Sequence, residues 1–269
     1  MPVKHKFDIA TDLETLAPGR FLGKTSPDYD NMAGPFGGVT SACLLNAVRL
    51  DPRHRGDPVS ITVNLCAAIA NGAFAIQTSL KRDGKYIQHW AVELTQDGRL
   101  CTSALIMMAV RQETFSHQSA IAPTLPPTGN AQPLEANAPL KWLSAYDLSY
   151  LEGAPGFASG TAHSSTRTVQ LVADKPARPL DHLSLLAMSD SFILRIFCVR
   201  PQLVPMGTVS MTTHFMASAD EIAEQGATPL LGVADATRIH DNFQDQQISL
   251  FGLHGRLLAS GTQIVWFKH

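Results

Sequence analysis

A six-residue pattern occurs twice in this chain. Gly98-Arg99-Leu100-Cys101-Thr102-Ser103 returns as Gly255-Arg256-Leu257-Leu258-Ala259-Ser260, an offset of 157 residues. Upstream, Ser60-Ile61-Thr62-Val63-Asn64-Leu65 is paralleled by Ser210-Met211-Thr212-Thr213-His214-Phe215, an offset of 150 residues. Either match alone is weak. Two matches in the same order at nearly one offset mark a duplicated unit. The 269 residues therefore divide into two copies of one fold, each long enough for its own core.

Each copy shows the same succession of signals. A short strand lies near 20–23 and again near 146–151. An apolar helix follows near 38–50 and near 180–199. Then come four strands, near 59–67, 73–82, 86–96 and 99–111 in the first copy, and near 207–217, 229–239, 244–253 and 256–267 in the second. Alternation supports the strands: Ile61, Val63 and Leu65 interleave with Ser60, Thr62 and Asn64. Asp83-Gly84 and Asp97-Gly98 carry the hairpin-turn dipeptide. The expected class is α+β, each half one helix against a four- or five-stranded antiparallel sheet. The expected boundaries are a first unit at 1–115, a proline-rich linker at 116–139 and a second unit at 140–269. A further stretch, 153–178, is rich in small residues and reads as an irregular crossover or a loop over a site.

Composition narrows the function. Apolar residues make up 45% and charged residues 16%, as in globular proteins and unlike disordered ones. A net charge of −2 without a basic run argues against nucleic acid as a partner. The ten histidines show no His-x-x-x-His spacing and the four cysteines no Cys-x-x-Cys, so neither a metal nor another cofactor is expected. Cys43, Cys66, Cys101 and Cys198 all sit in apolar stretches and read as buried free thiols of a reducing compartment. No secretory h-region opens the chain and no run of 18 uncharged apolar residues interrupts it. The expectation is a cytoplasmic protein without a membrane partner.

One residue contradicts its surroundings. Asp190 lies within Leu183–Val199, a segment apolar on nearly every side and interrupted otherwise by Arg195. Burial disfavours a carboxylate, which makes Asp190 a candidate for acid–base chemistry unless it caps another element or pairs with Arg195. Comparing the copies adds two more residues. Gln263 stands where the first copy has Ile106, and Thr208 stands where it has Pro58. In the helices, Asn46 falls near the place of Asp190, so the first copy lacks the acid on that alignment. A carboxylate, a hydroxyl and an amide are thus confined to the second copy. Ser210, two residues past Thr208, is an alternative source of the hydroxyl.

These residues carry a resemblance. Gly34-Pro35-Phe36-Gly37-Gly38, Lys81-Arg82-Asp83-Gly84-Lys85 and Glu93-Leu94-Thr95-Gln96-Asp97-Gly98 in the first copy, with Leu186-Ala187-Met188-Ser189-Asp190, Thr208 to Phe215 and Gly255 to Gln263 in the second, resemble the double-hotdog acyl-CoA thioesterases similar to bacterial acyl-CoA thioesterase II. The resemblance implies a tandem hotdog, each half a central helix wrapped by a curved antiparallel sheet. It implies hydrolysis of an acyl-CoA to a free acid and CoA, with the family's Asp, Thr and Gln falling on Asp190, Thr208 and Gln263. Association into dimers or larger homo-oligomers is a further expectation.

In that reading Asp190 takes a proton from water while Thr208 and Gln263 fix the water's approach. Gly37 and Gly38, at the start of the first helix, are candidates for binding the substrate carbonyl through free N–H groups. They serve equally as residues of a tight turn. A covalent route has no Gly-x-Ser-x-Gly elbow to support it. Three readings stay open beside hydrolysis: a non-catalytic acyl-CoA or lipid-binding hotdog, a hotdog hydratase or dehydratase hinted at by Asp28-Tyr29-Asp30-Asn31, and a purely assembling scaffold. Phe157, Phe192 and Phe197 are candidates either for the pocket wall or for the core.

Overall fold

The structure, a computed structural model, describes residues 4–125, 131–134, 140–156 and 160–268. The first half builds helix α1 (Lys6–Ala10), strands β1 (Glu14–Ala17) and β2 (Arg20–Lys24), helix α2 (Gly37–Leu50), and strands β3 (Asp57–Leu65), β4 (Ala73–Asp83), β5 (Ile87–Gln96) and β6 (Arg99–Ala109). The second half builds β7 (Tyr146–Glu152), β8 (Thr168–Asp174), helices α3 (His182–Ser189) and α4 (Ile196–Val199), β9 (Met206–Phe215), helix α5 (Ala219–Gln225), β10 (Leu230–Asp235), β11 (Phe243–Phe251) and β12 (Leu257–Phe267).

All twelve strands belong to one antiparallel sheet, ordered β1-β2-β4-β5-β6-β3-β9-β12-β11-β10-β8-β7, with two-residue additions at Gln132–Pro133 and Ile239–His240. Read outward from the β3·β9 seam, the two halves have the same order. At the seam Thr62 pairs with Thr212, its counterpart at offset 150, and their hydroxyl oxygens lie 3.0 Å apart. The duplication extends to irregularities. The β3·β6 ladder shifts register between Pro58 and Ser60, and the β9·β12 ladder shifts between Thr208 and Ser210. A bulge occupies the same place in each copy.

The helices lie together against the sheet. In α2 the unbroken run Gly38–Leu45 is buried on every side, with Ala47 and Val48 beyond it. The close approach to α3 is made at Gly38, where a Cβ would stand 2.5 Å from the Ala187 carbonyl oxygen. Helix α3 begins with a capping box in which Asp181 and Ser184 exchange hydrogen bonds. Arg178 ties Asp181 to Asp8 of α1, joining the halves across the helix ends.

The structure corrects several expectations. The stretch 153–178 contains β8, which pairs with β7 and β10. Its residues are buried on both faces, so it lacks the alternation that marks a half-exposed strand. Topologically β8 matches β2, and β7 matches β1. The long second helix stops at Ser189, and α4 is a separate turn beyond it. Cys66 is exposed just past β3, whereas the other three thiols are buried. The described part of the proline-rich segment runs along the second half, where Gln118 bonds the backbone at Gly255 and Leu257. Pro126, Pro127, Pro139 and Phe157 lie outside the described residues. Among the described residues no helix is long and apolar enough to cross a membrane.

Candidate active site

Asp190 is the residue at which α3 ends, not its middle. The Ser189-Asp190-Ser191 run explains the stop. The hydroxyls of Ser189 and Ser191 each donate to a carbonyl of the last turn, Leu186 and Met188, at 2.7 Å. Short polar side chains that take backbone partners favour a helix end over its continuation. Ile193 and Leu194 therefore do not share a helical face with Asp190. Arg195 does not pair with it either: its guanidinium bonds Gln246, Thr168, Thr166 and Ile193 instead.

Asp190 is 9% exposed and lines a cavity of about 330 Å³. Gln263 donates from Nε2 to its Oδ1 at 2.7 Å, and the backbone N–H of Gly38 donates to it as well. Burial pushes this carboxyl up to about 7, and those two hydrogen bonds act against the shift. The N-terminus of α2 thus faces the carboxylate with its free N–H groups and the positive end of its dipole. Glycine is needed there for space: a Cβ on Gly37 would stand 2.7 Å from Asp190 Oδ2.

Of the residues expected in the site, Asp190, Thr208 and Gly37 line the cavity, and Gln263 stands behind Asp190. Gly38 gives its N–H to Asp190 and is not part of the wall. Ser210 is not in the wall. The bulge after Thr208 reverses the alternation of β9, so that Met211, Thr213 and Phe215 are buried and Ser210 shares the outer side with Thr212 and the exposed His214. Equal parity along a strand fails where one extra residue is inserted. Asn46, which the sequence alignment sets near Asp190, donates its side-chain amide to the Thr11 carbonyl. In the first copy the C-terminus of the longer helix is capped by another acid, Asp51. Asp51 is held by Arg53 through two side-chain hydrogen bonds and by the Thr78 hydroxyl, which hold its carboxyl down at about 2 against the burial that raises it.

The wall draws on both halves. Leu65, Ile69 and Thr102 come from the first half, Phe192, Phe197 and Met206 from the second. Phe36 stacks on Trp142 at 4.3 Å beside it. Met32 and Leu203, both exposed, also line the cavity. Thr102 was not singled out from the sequence. Its buried hydroxyl has no hydrogen-bond partner among the described residues. Gln246 was also missed, although it is an amide where the first copy carries Trp90, each being the cross-strand neighbour of the Gln263 or Ile106 position.

Family models place the chain. Residues 25–109 match the acyl-CoA thioesterase N-terminal domain and residues 122–267 match the acyl-CoA thioesterase C-terminal domain. The second match begins inside the proline-rich segment. No curated protein matches the chain. Among solved structures, a hot dog fold protein of unknown function from Alicyclobacillus acidocaldarius is 36% identical, with 99% of each chain covered and a TM-score of 0.94. A putative thioesterase II from Thermobifida fusca is 18% identical over 100% of this chain and 99% of its own, at a TM-score of 0.86. An acyl-CoA thioesterase II from Mycobacterium marinum is 19% identical over 98% of each, at 0.73. At those lower identities the likeness shows the shared fold. A double-hotdog fold with both thioesterase domains in order identifies the chain as a member of the acyl-CoA thioesterase family.

Proposed function

We propose that the protein hydrolyses acyl-CoA thioesters with a water activated by Asp190 and held by Thr208, while Gln263 fixes the Asp190 carboxylate. The observation that carries this reading is the bond from Gln263 Nε2 to Asp190 Oδ1, 2.7 Å long, made by a buried carboxyl at the wall of a largely apolar cavity. An acyl chain fits such walls, and a carboxyl whose pKa is raised to about 7 is matched to proton transfer near neutrality.

The steps follow from the groups present. Asp190 takes a proton from water as the water oxygen bonds the thioester carbonyl carbon. The carbonyl electron pair moves onto oxygen, where the free N–H groups at the start of α2, Gly37 among them, stabilise the charge. The tetrahedral species collapses, the carbon–sulfur bond breaks, and Asp190 returns its proton to the departing sulfur. The products are a carboxylic acid and CoA, with nothing oxidised or reduced. Thr208 on the cavity wall orients the attacking water, and Gln263 fixes the carboxylate that receives its proton.

The test is release of free thiol from a panel of acyl-CoAs, short to long and aromatic, by the wild-type protein and the Asp190→Asn variant. Hydrolysis that collapses in the variant is the expected outcome. Acyl-CoA binding without hydrolysis across the panel contradicts the proposal and supports a binding protein in its place.

A further inference from the structure

Arg195 is fully buried and forms no salt bridge among the described residues, although Asp190 is only five residues away. A guanidinium out of water without a counter-charge is costly, and here it is satisfied by hydrogen bonds alone. Nη1 donates to Thr168 Oγ1 at 2.7 Å and to the Thr166 carbonyl at 3.1 Å, Nη2 donates to the Ile193 carbonyl, and Nε donates to Gln246 Oε1 at 3.0 Å.

The last of these has a directional consequence. Arginine has only donors, so Gln246 must turn its oxygen toward Arg195 and its NH2 away. That NH2 lies 3.4 Å from Gln263 Oε1. Gln263 must then present its own NH2 to Asp190, as it does at 2.7 Å. With Gln263 reversed, an amide oxygen would face the carboxylate and repel it. The series polarises in one direction, from the guanidinium to the carboxylate.

The first copy shows what happens without the amides. There the cross-strand pair matching Gln246 and Gln263 is Trp90 and Ile106. Arg53 reaches its helix-capping acid directly, with Nε 2.9 Å from Asp51 Oδ1 and Nη2 2.7 Å from Oδ2, and its guanidinium lies over Trp90. That carboxyl is held at about 2, whereas Asp190 stands at about 7. The two copies share an acid and an arginine after the helix. Only the second keeps them apart.

We infer that Arg195 and Gln246 are positioning residues for Asp190, acting through Gln263: the arginine sets the direction of two amides in series, so that a donor always meets the carboxylate while the cation stays too distant to neutralise it. The inference deepens the proposal that Asp190 is the base and rests on it for its effect on rate. Around Asp190, α2 presents the Gly38 N–H, β12 presents Gln263, and β7 presents Tyr146, whose phenol burial holds well above its ordinary range and therefore neutral.

The experiment is a pair of titrations on the full-length protein: the pH–rate profile of thiol release, and the carboxyl signal of Asp190 by 13C NMR. Gln246→Glu keeps the size of the side chain and gives Arg195 a counter-charge, so it retains the fold, but its carboxylate has no donor for Gln263. The expected result is an Asp190 midpoint displaced upward by about one pH unit, which lowers the rate on the acid limb about tenfold with KM unchanged. Arg195→Met should act likewise, and Arg195→Lys, which keeps a donor and the charge, should restore the wild-type midpoint. An unmoved Asp190 titration in folded Gln246→Glu overturns the inference, and that variant decides the matter if Arg195→Met does not fold. A titration that moves while thiol release is unchanged sinks the base assignment rather than the relay.

Discussion

Asp190 combines a function with a cost. Its carboxyl is held near 7 by burial, above the 3.8 of a free aspartate, so the folded state keeps a proton that the unfolded chain gives up. The stability tied to that proton is complete below pH 3.8 and is lost as pH rises through 7. Asp190→Asn removes the ionisation. It should therefore lower turnover by about 100-fold or more and raise the melting temperature at pH 8, with less gain at pH 4. Asp51 has the opposite sign. Its carboxyl is held at about 2, so its contribution is present above 3.8 and fades as pH falls toward 2. Asp51→Asn loses charge-assisted bonds to Arg53 and Thr78 and should destabilise the protein by about 2 kcal/mol at pH 7, measured by urea unfolding, with the acid limb of activity unmoved.

At the scale of elements, the contact between the start of α2 and the end of α3 makes the site. Gly38→Ala places a methyl 2.5 Å from the Ala187 carbonyl, which is backbone and cannot turn aside. Overpacking of this kind should cost on the order of 1–3 kcal/mol in unfolding experiments. Gly37→Ala meets the Asp190 carboxylate instead, 2.7 Å away, and should cost activity well beyond any loss in melting temperature. The strands were legible because most of them alternate. β8 was not, since TVQLVAD is buried on both sides. Nor was the end of α3, because an apolar run has no period to lose and the stop is made by two serine hydroxyls. Asp190 stood out from its apolar surroundings, Thr208 and Gln263 from comparison of the copies, and all three from the family resemblance. The same comparison carried to β11 would have set Gln246 against Trp90. Ser210 was misplaced because a bulge leaves no mark in the residue pattern.

For the whole molecule, duplication sets two helices against one continuous sheet, and each helix ends at an acid. One acid is closed by an arginine, and the other is left at a cavity shared by both halves. A second acid raised by burial, Asp174, has neither carboxyl oxygen hydrogen-bonded among the described residues, and it too is pushed up to about 7. Both acids keep their protons in the fold to near neutrality, so their joint contribution to stability falls as pH rises from 4 to 8. Asp174→Asn should flatten part of that fall in a melting-temperature series while leaving the pH–rate midpoint in place.

The most direct test of the central claim is the pH–rate profile of acyl-CoA hydrolysis by wild-type protein and by Asp190→Asn. A rate that climbs with pH about a midpoint near 7, and a folded variant slower by about 100-fold or more across the range, is the outcome expected of Asp190 as the base. A folded Asp190→Asn protein with wild-type turnover would contradict it.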